Sequence, residues 1–189
     1  SDHAGLLKSG WDSFLIRKRL QHKRWVPGPK VLVLTGGSDV TNLGEFLPAR
    51  LDKLLDMNIE LHWVKGPFSC APNLPRECRL NWVIHNAPEN LDELIVQSNY
   101  VISIFGVSFF EVLQYGVPTV VFSPYGDKDN DDLNELSKEN VAMVFNNSEL
   151  AIKGVCKPSR DRKPGTDFIY GHRKIYKKSI RGLVTQISF

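Results

Sequence analysis

The run from Tyr100 to Phe122 constrains the fold more than any other part of the chain. Tyr100–Ile104 is apolar and β-branched, the composition of a buried strand. Phe105-Gly106-Val107-Ser108 follows as a turn, and an apolar stretch then leads through Tyr115 as a helix. Gly116 and Pro118 end that helix, and Thr119–Phe122 is a second buried strand. Strand, glycine turn, helix and strand in so short a span is the unit of a parallel sheet with crossover helices. Such a turn aims the N-terminus of its helix out of the carboxyl edge of the sheet, where α/β proteins hold phosphates. Glu111 lies one turn into the helix, within reach of sugar hydroxyls, so the span suggests a nucleotide-sugar pocket.

The flanking sequence fits the same architecture. Val31–Leu34 reads as a first buried strand, and Gly36-Gly37-Ser38-Asp39 as a tight turn in which Ser38 or Asp39 caps the next helix. That helix carries Leu43, Phe46, Leu47, Leu51, Leu54 and Leu55 on one face. Pro48 implies that it either kinks or begins near Pro48. Residues 59–64 and 81–85 read as strands, with a Pro- and Cys-rich surface loop between Gly66 and Arg79. Asn90 to Glu93 has the spacing of a capping box opening a short helix. A helix over 131–138, a strand over 141–145, a short helix over 148–153 and a terminal helix over 170–187 complete the pattern, with a polar stretch at 157–166. The expected fold is an α/β, Rossmann-like doubly wound parallel sheet of about six strands.

Three turns carry the candidate chemistry. Glycines at 36 and 37 let backbone approach a ligand closely, although G-x-G-x-x-G is absent and a plain turn explains them equally well. Ser108 and Glu111 have capping-box spacing, which by itself accounts for both; the same geometry presents helix N–H groups to a diphosphate. Gly126 to Asp132 resembles a calcium loop, but the sixth position is Asp132 and the twelfth Lys138, where an EF-hand needs Gly and Glu. A polar segment contacting a sugar suits it better. His62 and His85 fall in strands and read as ordinary partly buried residues, and Trp63 and Trp82 as core. H-E-x-x-H, G-x-S-x-G and P-loop patterns are missing.

Charge and length narrow the partners. With 24 Lys and Arg against 21 Asp and Glu, the net charge of +3 is too small to argue for nucleic acid. Basic residues nevertheless cluster at 17–24, 153–163 and 173–181, either as solvated faces or as a rim that attracts anionic substrates or lipid head groups. Peripheral membrane association is thus expected to be within reach, and a spanning segment is not. Cys70, Cys78 and Cys156 lack metal spacing and read as free thiols of a reducing, cytoplasmic compartment. No cofactor and no metal is called for. The chain begins Ser1-Asp2-His3-Ala4, which reads as a processing boundary of something longer. Residues 1–27 are expected to be a basic N-terminal arm or interdomain segment, and 28–189 a nucleotide-sugar-binding domain.

Val31–Asp39 with Asn42-Leu43, the run Asn99–Ser103 with Gly106, Ser108, Glu111 and Gly116–Pro118, and the tail Tyr170–Ile175 resemble the C-terminal domain of GT-B superfamily nucleotide-sugar enzymes. The resemblance covers about residue 30 to the end. It is strongest to the branch of the pseudaminic-acid pathway UDP-sugar hydrolase and the SpsG-like proteins, with MurG-type transferases more distant. It implies that Gly36, Gly37 and Ser38 and the turn Gly106, Val107, Ser108 flank the phosphates of a UDP-sugar donor, and that Glu111 binds ribose. An acidic-Asn-Gln motif of the family has its counterpart in Asp129-Asn130-Asp131, where the Gln is missing and Val107 replaces a small residue of the second turn. The family's catalytic base lies in an N-terminal acceptor domain, for which this sequence has no room; that domain is implied to have been excised or to be a separate subunit. Donor binding in support of glycosyl transfer, without activity of this half alone, is the expectation. Nucleotide-sugar hydrolysis and a non-catalytic binding or scaffold module are its alternatives.

Overall fold

A computed structural model of the chain describes residues 20–21, 24–139, 142–146 and 151. The expected N-terminal arm, the short helix at 148–153, the polar stretch at 157–166 and the terminal helix at 170–187 fall outside this set, save Leu20, Gln21, Arg24, Trp25, Val26, Pro27 and Ala151.

Six parallel strands form one sheet: β1 (Lys30–Leu34), β2 (Glu60–Lys65), β3 (Asn81–Asn86), β4 (Tyr100–Ile104), β5 (Thr119–Phe122) and β6 (Met143–Phe145), in the order β3-β2-β1-β4-β5-β6. The chain winds outward from β1 in one direction and from β4 in the other. The central pair β1 and β4, with Leu34 opposite Ser103, therefore forms the topological switch point. Because every pairing is parallel, all the strand-to-helix loops leave from one rim.

Both faces of the central strands are apolar, as a doubly covered parallel sheet requires. Val31, Val33, Leu61, Trp63, Ile102 and Phe122 pack against Leu43, Leu47 and Leu51 of α1 (Leu43–Leu54). On the other face Leu32, Leu34 and Val101 pack on Ile95 of α2 (Leu91–Gln97) and on Val112 and Tyr115 of α3 (Val107–Tyr115). Leu133 and Leu136 of α4 (Asn130–Glu139) close over Phe109, Phe110 and Val121.

Helix α1 does not begin near Pro48: it begins at Leu43 and carries Pro48 inside it. Pro48 has no N–H for the carbonyl of Gly44, four residues back. The N–H of Asn73, from the loop after β2, donates to that carbonyl instead at 2.7 Å. A distant loop thus satisfies the group that the proline leaves bare.

The β2–β3 connection, Gly66 to Leu80, contains no helix and is anchored by a buried acid. Asp52 of α1, 3% exposed, accepts hydrogen bonds from the N–H groups of Arg79 and Leu80 and from the indole of Trp82, at 2.9–3.1 Å. The Arg79 guanidinium donates to the carbonyls of Asp52 and Lys53, closing the last turn of α1.

On the face of β2 and β3 away from α1 lies a polar chain. Lys30 Nζ is 3.9 Å from Glu60, Glu60 accepts from His62 Nε2 at 2.5 Å, and His62 Nδ1 is 2.8 Å from His85 Nε2, with the two rings stacked. Burial, then the charges of His62 and Lys30, hold His85 below its ordinary 6.5. The His62 hydrogen bond holds Glu60 below 4.5, against a smaller opposing effect of burial. For both groups the unfolded state binds the proton first, so stability is full above these values and falls as pH drops. The loss is expected to begin as pH falls through about 6.5. Chemical denaturation of His85→Phe, compared with the parent between neutral pH and about pH 5, should show a flatter profile; identical slopes would refute the assignment.

Candidate functional site

Two glycine turns stand side by side at the carboxyl rim, one after each central strand. Gly36 has φ 84° and Gly106 φ 155°, both in the region that favours glycine. The turns touch: a Cβ on Gly36 would lie 2.9 Å from Cδ1 of Ile104, two residues before Gly106. A Cβ on Gly37 or on Gly106 would meet nothing within 4 Å, so the space above both is open. Ser38 and Val107 are exposed, and Ser108 and Glu111 half-buried.

The two adjoining helix ends differ. At α1 the Asp39 carboxylate accepts from the N–H groups of Leu43 (2.9 Å) and Gly44 (2.7 Å). The N-cap residue is Asn42, whose side chain makes no cap bond; of the two expected candidates Asp39, three residues ahead of it, supplies the acceptor and places a negative charge of the protein's own at this helix N-terminus. Gly44 makes room for it, since a Cβ there would sit 3.1 Å from Asp39 Oδ2. Asp39→Ala should cost about 1–2 kcal/mol, measurable as a lowered denaturation midpoint; an unchanged midpoint would refute the cap.

At α3 the expected capping box does not form. The helix begins at Val107 with Gly106 as its cap, so Ser108 and Glu111 sit one and four residues past the helix start, too deep for a box. The wide φ of Gly106 starts the helix earlier than the S-x-x-E spacing suggests. No side-chain cap hydrogen bond is made at this end. The Asn90–Glu93 box also lacks its side-chain bond; α2 starts there with a backbone contact, Glu93 N–H to Asn90 O.

Asp129, Asn130 and Asp131 come to the same rim after β5, but as a 3₁₀ turn (Gly126–Asp129) running into α4 rather than as a loop. Ser123 Oγ donates to Asp129 at 2.6 Å, and Asn130 Nδ2 to Asp127 at 3.0 Å. The Oδ1 atom of Asn130 is buried without a partner among the described residues. Asp131 lies in the first turn of α4 and is exposed. Nine of the ten expected site residues therefore lie at one rim, those of the two glycine turns nearest the switch point and the acidic group one strand away, while Glu111 sits one turn into α3.

Sequence reasoning missed what locks these turns. Gly66 sits against the first of them: a Cβ there would overlap Gly37 O and lie 2.5 Å from Gly36 O. The N–H of Phe68 donates to Gly37 O at 3.0 Å. A glycine directly after a strand was the available signal. At the opposite, amino edge a cleft of about 50 Å³ lies among Arg24–Val26, Val96–Asn99, Tyr115 and Val117, away from the glycine turns. Among the described residues no three His, Cys, Asp or Glu side chains converge as metal ligands, and no helix is long and apolar enough to cross a membrane.

No protein-family model matches the chain, and no curated protein does. Solved structures do resemble it. The glycosyltransferase SnogD from Streptomyces nogalater is 15% identical with a TM-score of 0.53, over 90% of this chain and 43% of that one. The glycotransferase of kitacinnamycin is 16% identical with a TM-score of 0.50, over 92% and 47%. The chain thus spans less than half the length of each. At these identities the likeness establishes the fold: an all-parallel, Rossmann-like α/β sheet of the kind found within these glycosyltransferase chains.

Proposed function

We propose that this chain is the donor-binding half of a GT-B-type glycosyltransferase and holds the diphosphate of a UDP-sugar between the Gly36–Ser38 and Gly106–Ser108 turns. The observation that carries this reading is the pairing of two glycine turns on adjacent central strands with open space above Gly37 and Gly106. Ligands of open α/β sheets collect at such a switch point. Because Asp39 occupies the N-terminus of α1, the phosphates rest on the backbone of the first turn and on the N-terminus of α3. There the helix dipole stabilises the charge that develops on the departing diphosphate. Glu111 accepts from ribose hydroxyls, and the Asp129–Asp131 segment faces the sugar. The acceptor and the catalytic base belong to a second domain or subunit.

A binding module without turnover is the second reading. It is favoured by the mutual hydrogen bonds of Ser123 with Asp129 and of Asn130 with Asp127, which engage much of the segment expected to face the sugar. Hydrolysis of the nucleotide-sugar, as in a hydrolase of the pseudaminic-acid pathway type, would use the same donor site with water as acceptor.

Calorimetry with UDP tests donor binding. Glu111→Gln should weaken UDP by roughly 1–3 kcal/mol. Lost stability with unchanged affinity would remove Glu111 from the site.

A further inference from the structure

Phe68 is 84% exposed, the most exposed large hydrophobic side chain among the described residues. Its backbone is nevertheless fixed. Its N–H is bonded to Gly37 O, and the next residue, Ser69, is buried with both its N–H (3.3 Å) and its hydroxyl (3.1 Å) on Gly66 O. Gly66 presses on the carbonyls of Gly36 and Gly37. A tight, immobilised turn therefore holds a bare aromatic ring out at the carboxyl rim, one strand from the first glycine turn. No ring of another described residue stacks on it. Tyr125, the other exposed aromatic of this rim, has Lys128 Nζ 6.0 Å from its ring centre.

We infer that Phe68 is the stacking wall for the nucleobase of the ligand, an inference that rests on the donor site proposed above. The end of β2 lies two strand spacings, roughly 10 Å, from the end of β4. That is the reach of a nucleoside from its base to its phosphates. A diphosphate seated between Gly37 and Gly106 thus brings its base to the β2 side of the rim, where Phe68 is the exposed aromatic. Stacking on a preset ring needs no ordering of the loop and accepts any base, so this wall selects a nucleotide over a bare diphosphate.

Titrations of the full chain with UDP and with inorganic pyrophosphate, on the parent, Phe68→Ala and Phe68→Trp, test this. Phe68→Ala should weaken UDP by about ten- to hundredfold and leave pyrophosphate affinity and thermal midpoint unchanged. Phe68→Trp should retain UDP. Equal UDP affinity in the parent and Phe68→Ala overturns the inference while the donor site stands. So does a parent that binds pyrophosphate as tightly as UDP. A parent that binds neither overturns both.

Discussion

Asp52→Ala should be among the most damaging single substitutions in this domain, lowering stability by about 3 kcal/mol. The carboxylate is the shared acceptor for three donors, the N–H groups of Arg79 and Leu80 and the indole of Trp82. Alanine leaves those donors facing a gap, and each buried unsatisfied group costs about 1–3 kcal/mol, softened where water can enter. The damage reaches further than one contact, because this acid is what ties the helix-free β2–β3 connection and the start of the edge strand to α1. Burial pushes the Asp52 carboxyl up, but the hydrogen bonds from Trp82, Arg79 and Leu80 and the Arg79 charge together hold it below its ordinary 3.8. Its contribution is therefore complete above that value and lost as pH falls beneath it. In a domain of this size the thermal midpoint should drop by about 6–12 °C. Asp52→Asn, which keeps one acceptor oxygen, should fall between. A loss under about 1 kcal/mol for alanine would contradict this role.

Gly66→Ala should be comparably severe and should damage function as well as stability. Its Cβ would have to displace the backbone carbonyls of Gly36 and Gly37, and neither can rotate away as a side chain tip would. Overpacking of this kind costs about 1–3 kcal/mol. The strain falls on the turn proposed to hold the phosphates, so UDP affinity should drop at least tenfold even where the protein remains folded. By contrast Gly37→Ala, whose Cβ would meet nothing within 4 Å and whose φ is not left-handed, should keep the fold and perturb only ligand binding. A folded Gly66→Ala protein with parental UDP affinity would detach this turn from the site.

The strands were legible because a parallel sheet covered on both faces needs continuous apolar runs, and Val31–Leu34, Tyr100–Ile104 and Thr119–Phe122 are such runs. The glycine turns followed from their positions directly after two of those runs. What stayed hidden depended on partners far along the chain. The helix through Pro48 is possible because Asn73, 25 residues later, bonds to Gly44. The roles of Asp52 and Phe68 likewise rest on contacts 27 to 31 residues away. Local spacing misled at Ser108 and Glu111, because the dihedral angle of Gly106 moved the helix start ahead of the serine. His62 and His85 lie in strands β2 and β3, as expected, yet their stacking depends on the diagonal register of those strands, in which His62 faces Val83 and His85 faces Val64.

An amide NMR titration of the 189-residue chain with UDP tests the proposed donor site most directly. Saturable shifts are expected at Gly36, Gly37, Ser38, Val107 and Ser108, spreading to Phe68 and leaving Trp25, Gln97, Asn99 and Val117 of the amino-edge cleft unmoved. Absence of shifts at millimolar UDP, or shifts confined to that cleft, would contradict it.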